Sequence, residues 1–145
     1  MVNISPELYV NGTLEIGSIY KLKAPELITT DIPHYFIVVA TDHPEIYMVL
    51  CTSQKINKEK HFEWNDLDLT GLVYIKPDSS NCLTLDSYIN CNDYHTITKK
   101  KLINKKATGE LEYIGKINLN YYTQIKKGII ESHTNDLPEY LLKYS

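Results

Sequence analysis

The chain has 145 residues and a mass of 16.7 kDa, is 43% hydrophobic and 23% charged, and carries a formal charge of −3. This composition excludes global disorder, and the length suffices for one core without a metal or disulfide staple. The slight acidity excludes a bulk-basic nucleic-acid binder, and all fifteen basic residues are Lys, so the bidentate phosphate contacts that Arg makes are absent.

Taken in chain order, residues 1–16 hold short apolar stretches broken by Pro6, Asn11 and Gly12, and read as an N-terminal arm or an edge hairpin. Residues 17–23, GSIYKLK, alternate as a strand, with Tyr20 and Leu22 on one face and Lys21 and Lys23 on the solvent face. Residues 25–33 form a loop. Residues 34–40, HYFIVVA, are β-branched, aromatic and apolar on both faces, the pattern of a central strand. Residues 45–53, EIYMVLCTS, make a second apolar strand, and the short turn between predicts an antiparallel hairpin.

Residues 54–71 are a polar excursion that holds the single Trp64; excursions of this length often carry function. Residues 72–76 form a short strand ended by Pro77. A turn at Ser79, Ser80 and Asn81 follows, then a strand over 86–91. The segment 90–93, NCND, is a turn or a set of base-reading polar groups. Thr98 caps a short helix, KKKLINKK, stopped near Gly109. Asn118 caps a second helix with Leu119, Tyr122, Ile125 and Ile129 on one face. A last helical turn falls within 136–144. Many strands followed by helices predict a mainly β protein, a small antiparallel barrel or curled sheet with C-terminal helices. The division is a single domain over 1–145, with barrel strands over 17–96 and helices over 97–145.

The N-terminal residues have neither a basic start nor an apolar h-region, and no apolar run approaches the ~20 residues needed to span a bilayer. Cys51, Cys82 and Cys91 are odd in number and lack CxxC spacing, so a reduced, cytoplasmic protein is the expectation, with Cys51 and Cys91 as small buried groups. A zinc site from Cys82, Cys91 and His95 fits no common structural spacing, and no metal is expected. Charge segregates: residues 97–127 hold eight Lys and two acids, the rest seven Lys and sixteen acids. The cluster at Lys99, Lys100, Lys101, Lys105 and Lys106 is either a solvated helix face or a phosphate-tracking patch.

Several segments in order resemble the PemK/MazF-type toxin family of bacterial toxin–antitoxin systems. They are GSIYKLK, PHYFIVV, LCTSQ, LTLDSYINC and LEYIGKINLNYYTQIKKGI, and together they cover residues 17–131. The resemblance implies an SH3-like β-barrel with helices, a homodimer, and cleavage of single-stranded RNA without a cofactor. It also implies a partner antitoxin that occupies the RNA groove. Thr52 and Ser53 match the family's hydroxyl pair after the second strand, and Asp86 matches an acidic residue that some members use. His34 and Thr84 stand where members carry Arg.

Metal-independent RNA cleavage uses the 2′-hydroxyl as an internal nucleophile and needs a base, an acid and donors for the charged phosphorane. His34 is the natural base or acid, because an imidazole titrates near working pH. Thr52, Ser53 and Gln54 offer hydroxyl and amide donors to phosphate oxygens, and Asp86 either orients His34 or begins a strand. Lys21 and Lys23 can replace the missing Arg as point charges. Twelve Tyr against two Phe supply stacking platforms; Tyr88 and Asn90, with Lys99 and Lys100, complete the expected RNA-binding set. The competing reading is a non-catalytic RNA- or protein-binding module of the same fold, such as a mobile-element or phage regulator. The missing Arg pair supports it.

Overall fold

The computed structural model describes residues 4–53 and 71–143. The first element is a helix, α1 (Pro6–Thr13), not the arm or hairpin that Pro6, Asn11 and Gly12 suggest. Ser5 accepts from the Leu8 N–H at 3.1 Å, and Pro6 sits in the first turn, where its missing N–H costs nothing. Asn11 and Gly12 fall in the last turn, too late to prevent the helix.

Six strands follow: β1 (Ser18–Leu22), β2 (His34–Asp42), β3 (Glu45–Ser53), β4 (Leu72–Ile75), β5 (Ser87–Thr98) and β6 (Leu111–Lys116). Helix α2 (Lys99–Ala107) lies between β5 and β6, and α3 (Leu119–Glu131) follows β6. The helices start where the caps were expected. Thr98 accepts from the Lys101 N–H at 3.2 Å, and Asn118 from the Tyr121 N–H at 2.8 Å. A single 3-10 turn, Glu139–Leu141, ends the described chain.

The strands form one antiparallel sheet in the order β4-β5-β3-β2-β1-β6. The mainly β class with helices holds, but the sheet is open rather than a closed barrel: β4 and β6 are its edges. A turn spans the gap between them. The Lys116 N–H donates to the Ser80 carbonyl at 3.0 Å, and the Ser80 hydroxyl donates to the Lys116 carbonyl at 2.7 Å. Gly115 permits this approach, since a Cβ there would lie 2.5 Å from the Asn81 carbonyl oxygen. Tyrosine hydroxyls satisfy further backbone on the edge strands: Tyr121 accepts from Lys76 N–H at 3.0 Å, and Tyr9 from Tyr113 N–H at 2.8 Å.

Two boundaries differ from expectation. The region 97–145 is not all helical, because LEYIGK forms β6 and pairs Leu111 with Leu22 and Tyr113 with Tyr20. Strand β5 also runs seven residues past Cys91, because it pairs with β3 as far as Glu45↔Thr98. The NCND stretch sits inside β5 at a register shift, where Met48↔His95 gives way to Leu50↔Asn90. There the Asn90 side chain accepts from Asn92 N–H at 3.0 Å. Asn90 therefore serves the bulge.

Helix α3 buries Tyr122, Ile125, Gly128 and Ile129, while Leu119 points outward at 57% exposure. The Tyr122 hydroxyl reaches the Val39 carbonyl at 2.6 Å, joining the helix to the central strand. Cys51 and Cys91 are buried as expected, and burial pushes each thiol up to about 12. Their folded values lie above the ordinary 9.0, so the stability they contribute is complete below pH 9 and is lost as pH rises through 12. Denaturant titration is expected to show a loss of about 2–3 kcal/mol between pH 8 and pH 10, reduced in a Cys51→Ala, Cys91→Ala double variant.

Candidate functional site

The apolar run of β2 fixes its first residue at the sheet's end, and the β2–β3 register carries that end across to Thr52. Tyr35 faces Cys51, and one residue further on each strand lie His34 and Thr52. Both line a cleft of about 300 Å³ together with Lys21, Tyr35, Cys51 and Thr84. Lys21 enters from β1, where it is the Cα partner of Tyr35. Leu83, Leu85 and Ser87, from the segment leading into β5, form the facing wall. His34 and Thr84, the two positions where the resembled family carries Arg, thus border the same cleft.

The imidazole of His34 is held by the loop before β2: its Nε2 lies 2.9 Å from the Thr30 hydroxyl. Lys21 is exposed, and its ammonium has no acidic partner among the described residues. Thr52 is half-buried at the cleft edge. Cys51 also borders the cleft, but its raised pKa keeps it a neutral thiol near pH 7, unsuited to nucleophilic attack. Among the described residues the cleft therefore offers an imidazole, a cation and the hydroxyls of Thr52, Thr84, Ser87 and Tyr35 around a space large enough for a phosphodiester.

Asp86 does not line this cleft. Its chain neighbours Leu85 and Ser87 do, while the Asp86 carboxylate accepts a hydrogen bond from the Tyr74 hydroxyl on β4. That bond pushes the Tyr74 phenol up to about 12. Tyr88 is the Cα partner of both Thr52 and Tyr74, so it continues the cleft edge toward β4. Ser53 ends β3 opposite Ser87. Gln54 lies outside the described residues, as do Trp64 and most of the 54–71 excursion.

The expected basic contributors are dispersed. Lys23 follows β1, and its backbone N–H donates to the Glu110 carbonyl at 2.9 Å. Lys99 and Lys100 begin α2 at the opposite end of β5 from Ser87. At ~3.3 Å per residue, that twelve-residue strand separates them from the cleft by roughly 35 Å along its contour. The rest of the α2 cluster is engaged in packing. Lys105 pairs with Glu26 at 3.0 Å, and Lys106 sits 3.8 Å above the Tyr9 ring. Among the described residues, no three His, Cys, Asp or Glu side chains cluster closely enough to hold a metal ion. Cys82 lies in an exposed turn, Cys91 under α3, and His95 edge-on to Phe36 at 5.7 Å.

Reasoning from the sequence missed Thr30, Tyr74 and the wall residues Leu83, Leu85 and Ser87, although it singled out Thr84 beside them. Thr30 and Tyr74 carry no signal of their own, since their partners lie four and twelve residues away across turns.

No protein-family model and no curated protein matches the chain. Solved structures do. An endoribonuclease from mycobacterial species superposes with a TM-score of 0.52 at 16% identity, covering 87% of this chain and 96% of that one. The Mycobacterium tuberculosis toxin MazF-mt6 gives a TM-score of 0.47 at 14% identity, covering 77% and 91%. At 16% identity the first likeness is one of fold alone: the chain shares the fold of that endoribonuclease, with an open sheet. No described helix is long and apolar enough to cross a membrane.

Proposed function

We propose, from this fold and the cleft at its sheet end, that the chain is an endoribonuclease that cleaves single-stranded RNA without metal. The observation that carries the reading is the convergence of His34, Lys21 and Thr52 on one cleft from three different strands. His34 takes the proton from a ribose 2′-hydroxyl. The 2′-oxygen attacks phosphorus, the bond to the 5′-oxygen breaks, and that oxygen leaves protonated by solvent. The products are a 2′,3′-cyclic phosphate and a 5′-hydroxyl end. Lys21 and Thr52 face the developing phosphorane charge, Lys21 as a point charge and Thr52 as a hydroxyl donor. Ser53 extends the hydroxyl pair. Asp86 is assigned outside the proton-transfer step, because its carboxylate is committed to Tyr74.

The same reading makes the chain a homodimer in the cytoplasm, held inactive by an antitoxin that covers the cleft. The test is incubation of the purified protein with unstructured RNA in excess chelator. Discrete fragments ending in cyclic phosphate are expected. RNA left intact across many sequences sinks the enzyme. RNA bound tightly yet recovered whole would favour the non-catalytic binding module, which the absence of Arg at His34 and Thr84 supports.

A further inference from the structure

A second feature adjoins the cleft and belongs to none of its chemistry. Along one row of the sheet, Thr52 on β3 is the Cα partner of Tyr88 on β5, and Tyr88 is the partner of Tyr74 on β4. Side chains paired in this way project from the same face. The row therefore begins at a residue that lines the cleft and ends on the edge strand. The two rings lie 5.4 Å apart and tilted by 55°, with Tyr74 36% exposed.

A tyrosine on an edge strand ordinarily samples several rotamers. Tyr74 does not need to, because its hydroxyl is tied to the Asp86 carboxylate. The ring orientation is set in advance, so a flat ligand loses little by docking on it. Besides the Asp86 carboxylate, two exposed ammonium groups lie near the row: Lys76 directly follows β4, and Lys21 lines the cleft. A flat aromatic surface with exposed ammonium groups near it suits a ligand that alternates rings with phosphates. Two strand spacings, roughly 10 Å, separate Tyr74 from Thr52. That is the reach of about one or two nucleotides of an extended strand.

We infer that Tyr74, held by Asp86 and backed by Tyr88, is a stacking platform for one unpaired nucleobase beside the nucleotide whose phosphate occupies the His34–Thr52 cleft. The inference rests on the RNA reading above and names the subsite that would position the strand. Asp86, by this account, is a positioning residue that acts through the Tyr74 ring.

The experiment measures binding of an oligonucleotide made entirely of 2′-O-methyl RNA, which lacks the nucleophile and so separates binding from cleavage. Tyr74→Ala is expected to weaken binding about 10- to 100-fold, the range for one base–aromatic stack, and Tyr74→Phe, which keeps the ring but loses the tie to Asp86, to fall between. Replacing nucleotides one at a time by an abasic unit should reveal one position that costs the wild type a similar factor and costs Tyr74→Ala nothing further. Asp86→Asn, which keeps the shape but weakens the tie to Tyr74, should fall between. Tyr74 is on an edge strand, and unchanged circular dichroism of the variants would exclude misfolding. Equal binding by wild type and Tyr74→Ala overturns the platform alone. Failure of the wild type to bind or cut any RNA overturns the platform and the endoribonuclease reading together.

Discussion

His34→Ala lowers the rate of RNA cleavage by about 10²- to 10⁴-fold, the usual cost of losing a general base. The reason is positional. Among the described residues His34 is the only imidazole bordering the cleft, and its ring is already oriented by the Thr30 hydroxyl. Loss of the fold would not account for the effect, because the side chain is only half-buried and its backbone pairs with Leu22 whatever the residue. His34→Gln separates proton transfer from hydrogen bonding: it retains polar atoms of similar reach but cannot take a proton, so it should be as inactive as Ala. Both variants should bind 2′-O-methyl RNA within a few-fold of the wild type. Single-turnover cleavage read on gels decides the matter, and an unchanged rate in His34→Ala would remove the imidazole from the mechanism.

Asn81→Ala is expected to destabilise the protein by about 3–5 kcal/mol, the cost of stranding several buried polar groups at once. Asn81 is fully buried. Its side-chain oxygen accepts from the Asp78 N–H at 3.0 Å and the Leu83 N–H at 2.9 Å, and its amide donates to the Lys76 carbonyl at 2.9 Å. The turn it holds spans the two edges of the open sheet and leads directly into the cleft wall at Leu83 and Thr84. Cleavage should therefore fail at a lower temperature in the variant. Asn81→Asp keeps the acceptor for two of the three bonds but sets a carboxylate oxygen against the Lys76 carbonyl in a fully buried site, so it should lose at least as much. Urea unfolding measures both, and a loss below 1 kcal/mol would show that the turn is held elsewhere.

Much of the fold was legible because local signals agreed. Alternation and β-branching marked β1 to β4. Thr98 and Asn118 marked the starts of α2 and α3, since an N-cap acts through its own neighbours in the chain. Helix α1 was misread although Ser5-Pro6-Glu7 carries the same kind of signal, because the later Asn11 and Gly12 were given more weight. Strand β6 was misread for another reason: LEYIGK becomes a strand by pairing with β1, ninety residues earlier. The continuation of β5 through NCND likewise depends on β3, which pairs with it on both sides of the bulge.

The candidate site divides along the same line. Sequence order alone determined which side chains are candidates for the chemistry: an imidazole opening the central strand, a hydroxyl closing the next, and a chain without a single Arg. It also pointed to burial of Cys51, in an apolar run, and of Cys91, which alternates onto the face of Ile89. Only the tertiary structure decided which of those groups meet. The pairing of β1, β2 and β3 brought Lys21, His34 and Thr52 to the cleft at one end of the sheet and sent Lys99 and Lys100 to the other end. The fold also turned Asp86 away toward Tyr74. The physical reason is the two-residue period of a strand. Whether a side chain faces a cleft or its opposite side depends on which residue of a distant strand it is paired with, and no local preference records that pairing.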